Sequence, residues 1–398
     1  MNRFACIILL FLSFSAYSQI STQYKSKYFD QTSFFGDTLP QRVMTAIRQF
    51  EQAEANRLEK FIKENQPSDA KVKELMTNQQ YLAAYNFYRF LGGNKFKIRA
   101  AYKRNFKEWQ RIQDSLFSVV KLDNEEAFSS PVYKDLIATF LLREKERLWE
   151  ESGSNPREFF KRWYNASVEE GAALFQADMS NILKEKIITH YFSGKTAEYM
   201  YSLLFKDIVE DSDPTNALVI FQRFKQKYPQ SPYLATITPQ MAKIEANLQR
   251  SLSSKMVFFT DNGTKLNTFK EMLDQVKGKT VLVDMWGTWC GPCREEIEKN
   301  GPALKKHFAG KGLDYLYVAC YDSKNEKKWK DLIAYFNLEG MHLLANQALN
   351  DDIMKSVKSS GYPTYFIIKK DGSFEKSKAG YPMKRDVLIK QLEEALAQ

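Results

Sequence analysis

The sequence predicts an all-helical region over residues 19–250 followed, from 255 to 398, by an α/β domain whose central mixed sheet carries helices on both faces. Three observations predict it. Upstream, apolar residues recur at i, i+3, i+4 and i+7, the signature of one buried helical stripe. From Met256 onward, short apolar runs alternate with helical segments, which implies a layered sheet. One of those runs leads directly into Trp289-Cys290-Gly291-Pro292-Cys293, two cysteines spaced to lie on the first turn of a helix.

At 398 residues the chain exceeds one ordinary core, and two or three domains are expected. Residues 1–18 read as a secretory signal: a positive charge at Arg3, an apolar run from Phe4 to Phe14, and small residues at Ala16 and Ser18. Export is therefore expected, to the periplasm, with Gln19 as the first mature residue and Cys6 lost with the signal. A retained N-terminal anchor is the lesser reading. No later window approaches the roughly 20 apolar residues a membrane helix needs.

In the helical region, Ala197, Met200, Tyr201, Leu204 and Ile208 form one stripe, and Ala217, Ile220, Phe221, Phe224 and Tyr228 form the next. Asp211-Ser212-Asp213-Pro214 separates them, so they read as an antiparallel pair. Further breaks fall near 66–70, 92–94, 123–131 and 152–156. The stretch from Asn216 to Tyr233 resembles one helical hairpin of tetratricopeptide-like proteins. Upstream there is no clean 34-residue period. Phe159, Phe160, Trp163 and Tyr164 read as helix-packing core.

The α/β part reads in order as a strand at 256–259, a turn at Asp261-Asn262-Gly263, a helix at 268–276 ending at Gly278, and a strand through Val281–Val283 into the cysteine run. Then come a strand at 316–320, a helix at 325–337, a strand near 341–345, a helix at 350–358, strands at 365–368 and around Phe374, and a final helix at 385–396.

Without the signal, three cysteines remain: Cys290, Cys293 and Cys320. One adjacent pair and one remainder point to chemistry rather than stapling. Asp284 interrupts an apolar strand six residues before Cys290, where a buried parallel strand would be continuously hydrophobic.

Asp284, Trp286, the 289–293 run, Gly361-Tyr362-Pro363-Thr364, Asp371-Gly372 and Gly380 together resemble the thioredoxin superfamily, specifically exported TlpA-like thiol-disulfide oxidoreductases. The resemblance covers roughly the last 145 residues. The long stretch 322–360, with an added helix and strand, is what such proteins carry beyond a minimal thioredoxin. It implies that Cys290 is the attacking sulfur, favoured as a thiolate by the helix N-terminus, and that Cys293 resolves the mixed disulfide. Pro292 suits the first helical turn. Burial would raise the Asp284 carboxyl so that it exchanges a proton with Cys293. Pro363 is the expected cis-proline, facing the dithiol and pairing with an incoming strand. Tyr362 would tune substrate choice, and Trp289, Gly291 and Pro292 complete the expected substrate-contacting set.

This chain departs from the family in two places. Glu298 stands where the family has a proline five residues after the second cysteine, with Asn300-Gly301-Pro302 following. The strand at 316–320 offers no basic residue to support proton transfer. Arg294 favours the thiolate, while Glu295 and Glu296 oppose it.

The net charge of +10 is spread along the chain rather than gathered on one run, which disfavours nucleic acid as a partner. His190, His307 and His342 are not spaced to complete a zinc site with the cysteines, so no metal or other cofactor is expected. The peroxiredoxin motif is absent before Cys290. Cys320 reads as a small core hydrophobe, with a third redox role the lesser reading.

The expected activity is reduction of disulfides in client proteins, with electrons supplied by a membrane dithiol donor. A Gly-Pro pair between the cysteines matches thioredoxin, near −270 mV against about −120 mV for the oxidant DsbA, a gap worth roughly 7 kcal/mol. An oxidase or isomerase of the same fold, and a helical scaffold with an accessory redox domain, are the alternatives.

Overall fold

Pro40 opens the first long helix because its missing N–H costs nothing at a helix start. The computed structural model describes residues 24–398, so the expected signal lies outside the described residues. The chain divides into two compact units, one up to Arg143 and one from Glu144 to the end.

The first unit holds α1 (Pro40–Asn65), α2 (Asp69–Asn94), α3 (Arg99–Arg104), α4 (Phe106–Ser118) and the start of α5 (Pro131–Ser154). Gln66 closes α1 in the left-handed region, and the Ser68 side chain caps α2. The expected break near 92–94 is where α2 ends, at Asn94, with the two glycines in its last turn. A Cβ on Gly92 would stand 3.0 Å from the Arg143 guanidinium, which packs against the end of this helix. Buried Tyr81, Phe87, Phe90 and Trp109 are core in this unit.

The second unit continues with α6 (Pro156–Tyr164), α7 (Val168–Ala177), α8 (Asn181–Tyr191), α9 (Gly194–Glu210), α10 (Ala217–Lys227) and α11 (Leu234–Leu248). Helices α9 and α10 bury the two predicted stripes, except for half-buried Tyr228, which follows the end of α10. The sequence boundary near residue 250 falls within this unit.

A six-stranded sheet follows: β1 (Met256–Phe258), β2 (Thr280–Trp286), β3 (Leu313–Cys320), β4 (Gly340–Ala345), β5 (Thr364–Ile368) and β6 (Phe374–Lys376), in spatial order β1-β4-β3-β2-β5-β6. The β1, β4, β3 and β2 strands are mutually parallel; β5 runs antiparallel to β2, and β6 antiparallel to β5. The helices between them are α12 (Phe269–Gln275), α13 (Gly291–His307), α14 (Glu326–Tyr335), α15 (Gln347–Ser356) and α16 (Arg385–Leu396). Helix α15 begins before the expected Asn350 because the Asn346 side chain accepts the Leu349 N–H and caps it.

Two cores result. Val281, Val283 and Met285 of β2 pack with α12 and α15. Leu282, on the opposite face, packs with Leu304 of α13 and Leu388 and Leu392 of α16. Asp284 shares that second face by strand alternation. Register sets Tyr317 on one side of it and Tyr365 on the other, and places His342 beyond Tyr317.

Candidate active site

Strand β2, buried along its whole length, delivers the chain to the site through Gly287. A Cβ there would overlap the Trp289 indole, so this turn requires glycine. Thr288 is then fixed by buried Asp322: its N–H and hydroxyl donate to the two carboxylate oxygens at 2.7 and 2.6 Å. Burial raises the Asp322 carboxyl, and these hydrogen bonds oppose the rise.

Cys290 is the N-cap of α13, Pro292 lies in its first turn, and the two cysteines are joined as a disulfide with Cα atoms 5.3 Å apart. The Cys293 N–H donates to Cys290 Sγ at 3.2 Å. Cys290 keeps 4% of its surface exposed and Cys293 none. The pair therefore presents one edge to solvent.

Around that edge stand three aromatic rings. Trp289 is 49% exposed and meets Tyr362 at 5.6 Å and Tyr321 at 6.1 Å; Tyr321 and Tyr362 are 6.2 Å apart. The Trp289 indole N–H donates to the Cys320 carbonyl at 2.9 Å. Tyr362 thus brings its loop against the active-site loop, and its peptide bond to Pro363 is cis. Gly291 and Pro363 are part-exposed and Pro292 is exposed. A second cis bond, Tyr381–Pro382, has no counterpart in the sequence reading.

Between α13 and the sheet lies a cavity of about 260 Å³ lined by Asp284, Glu296, Lys305, Tyr315, Tyr317 and Tyr365, among others. Asp284 is buried, its Oδ1 has no hydrogen-bond partner, and burial, with the Glu296 charge, raises its carboxyl to about 8. Glu296 is held by the Met383 N–H at 2.9 Å and by the Asn300 side chain. Burial lowers the Lys305 ammonium to about 8, and it donates to the Glu339 carbonyl at 2.8 Å. A basic group therefore does reach this cavity, from α13 rather than from β3.

Cys320 is fully buried, its thiol is pushed well up by burial, and its Sγ lies 3.5 Å from the Val318 carbonyl and hydrogen-bonds with the Tyr362 side chain. Among the described residues there is no cluster of three or more metal-ligating side chains.

Three residues gain a place the sequence did not signal, and Glu296, expected only to oppose the thiolate, gains a further one. Glu296 lines the cavity beside Asp284. Tyr321 adopts φ +59°, unusual for a bulky side chain, which aims its ring at Trp289. Asn350 bonds the hydroxyls of both Tyr321 and Tyr362. Asp322 anchors the loop before Cys290. Only Tyr321, next to Cys320 at a strand end, lay where pattern could have found it.

The Redoxin family model matches residues 253–396. Over 118 residues the chain is 31% identical to the thioredoxin-like protein YneN of Bacillus subtilis, covering 30% of this chain and 66% of that protein. It is 29% identical over 111 residues to the thiol-disulfide oxidoreductase ResA of Bacillus subtilis, covering 27% and 57%. The chain thus spans less than two thirds of either relative. A solved thioredoxin domain of a thiol-disulfide oxidoreductase from Bacteroides vulgatus is 28% identical, covering 31% of this chain and 82% of its own, with TM-score 0.25. The C-terminal part of this chain is a Redoxin domain, thioredoxin-like in its mixed sheet and its cysteine-capped helix.

Proposed function

We propose that the protein is an exported thiol-disulfide oxidoreductase that reduces disulfides in client proteins. The observation that carries this reading is the Cys290–Cys293 bond at the N-terminus of α13, with Cys290 keeping a little exposed surface and Cys293 none. In the reduced form, Cys290 attacks one client sulfur, the client bond breaks, and one client thiolate leaves. Cys293 then attacks Cys290 Sγ, the mixed disulfide breaks, and the second client thiolate leaves. Two electrons pass to the client, and the pair ends as the disulfide.

Asp284 is suited to take the Cys293 proton because a group titrating near the working pH is the best exchanger. The half-exposed Trp289, with Tyr362 and Pro363, offers an apolar seat for the chain around the client cysteine. Regeneration requires a dithiol donor, expected in the membrane. No helix of the described residues is long and apolar enough to cross one.

The test is reduction of a protein disulfide by the full chain under dithiol. Cys290→Ser must abolish turnover; an unchanged rate sinks the proposal. A Cys293→Ser variant should hold clients on Cys290. A potential near −270 mV fits a reductant, and one near −120 mV an oxidant.

A further inference from the structure

Arg294 follows Cys293, and in a free helix its charge would face solvent. Here it is 5% exposed and wholly engaged. Its Nε donates to the carbonyls of Asp211 and Ser212, each at 3.2 Å. Nη2 pairs with Asp213 Oδ2 at 3.2 Å, and Nη1 donates to the Thr288 carbonyl at 2.5 Å. The guanidinium also lies against the active-site turn, 3.9 Å from where a Cβ on Gly291 would stand.

The Asp211–Asp213 corner joins α9 to α10, outside the region matched by the family model. It is built rather than incidental. Ser212 adopts φ +48°, the Asp213 N–H bonds the Ile208 carbonyl, and the Asn181 amide holds the Asp213 carbonyl. One turn further along α13 a second tie forms: the Ser212 hydroxyl donates to Glu298 Oε2 at 2.5 Å, and Lys243 meets Glu298 Oε1 at 2.8 Å. Glu298 is the residue that departs from the family's proline, and here it accepts the helical segment. A chain of polar contacts runs from Asp213 through Arg294 and Thr288 to Asp322, crossing the loop that carries Cys290.

We infer that Asp213 is a positioning residue for the redox centre: by holding and offsetting Arg294, the helical segment sets the potential of the Cys290–Cys293 pair. This rests on the redox reading above. A cation beside the attacking sulfur favours its thiolate and so favours the reduced pair, which makes the disulfide more oxidising. Asp213 cancels much of that charge within a part-buried contact, where water screens it less than at the surface. The α9–α10 corner therefore keeps the pair more reducing than its own helix would.

The experiment equilibrates the full chain with reduced and oxidised glutathione at fixed pH and counts free Cys290 and Cys293 thiols by alkylation. Two glutathione thiols give up two electrons and two protons and become glutathione disulfide; the protein bond breaks and takes them. Asp213→Asn should raise the equilibrium constant for reducing the pair about threefold, a shift of about 14 mV toward oxidising. Arg294→Gln should move it the opposite way, and Ser212→Ala, which cuts the Glu298 tie without changing charge, should leave it unmoved.

A merely structural role would shift both charge variants in one direction or neither. Equal potentials for Asp213→Asn and wild type, or shifts of one sign, overturn the inference. If Asp213→Asn does not fold, Arg294→Gln compared with the double variant Asp213→Asn/Arg294→Gln reads the same charge. A pair that fails to titrate with glutathione at all would instead refute the redox reading.

Discussion

The Tyr362 hydroxyl donates to Asn350 Oδ1 at 2.6 Å, and the other side of the same amide donates to the Tyr321 hydroxyl at 3.0 Å. Asn350 is 1% exposed on α15, so a buried side chain from the added helix orients two of the three rings beside the disulfide.

Asn350→Leu should therefore free both tyrosines. A protein disulfide that uses the aromatic seat should lose about tenfold in kcat/KM, while a small disulfide, which needs only the sulfur edge, should change less than twofold. Stability should fall by about 1–3 kcal/mol, because two hydroxyls lose a buried partner. Equal losses on both substrates would show that the rings play no part in choosing clients.

Asp284 is the second case. Its carboxyl rises from 3.8 in the unfolded chain to about 8 in the folded one, so the folded state holds the proton more tightly. Stability then falls as pH climbs from about 4 toward 8, by about 4 kcal/mol at pH 7. Asp284→Asn should flatten that slope and raise the melting temperature at neutral pH, while slowing release of clients from the mixed disulfide. Melting curves between pH 5 and 9 decide it; parallel profiles for the two proteins would contradict the burial account.

His342 works in the opposite direction. Burial lowers it from 6.5 to about 4; its Nε2 lies 2.7 Å from the Leu338 carbonyl, its Nδ1 has no partner, and its ring stacks on Tyr317. The unfolded chain takes up the proton first. Stability is therefore lost as pH falls from about 6.5 to about 4, by roughly 3 kcal/mol. His342→Gln, which keeps a donor for Leu338, should be the more acid-resistant protein in urea titrations at pH 4.5, relative to pH 7.5.

For Cys320 the expectation is silence. After reduction, iodoacetamide should label Cys290 in the native protein and reach Cys320 only after denaturation, since thiolate and access are both lacking there. Cys320→Ala should leave the potential of the pair unchanged and cost about 1 kcal/mol for the small void. Native labelling of Cys320 on the same timescale as Cys290 would count against this.

Much of the α/β part was legible in the chain. Strand and helix order followed from local periodicity and turn residues, and α16 begins and ends where the pattern placed it. The glycines at 92–93 mark the end of α2 at Asn94, as the pattern implies. The start of α15 was misplaced because a capping asparagine at 346 looks like loop. Lys305 shows the same limit: no basic residue was apparent on β3, because the one that reaches the cavity comes from the facing helix.

By itself the sequence determined the redox pair, its helix N-terminus and the interrupted strand at Asp284, since spacing of three and a polar residue in an apolar run are local facts. Tertiary structure alone decided what surrounds them. Asn350 is 60 residues from Cys290 in the chain, and Asp213 lies 81 before Arg294, so no periodicity links them. Each pairing exists because folding brings distant polar groups into one buried space, where they must satisfy one another.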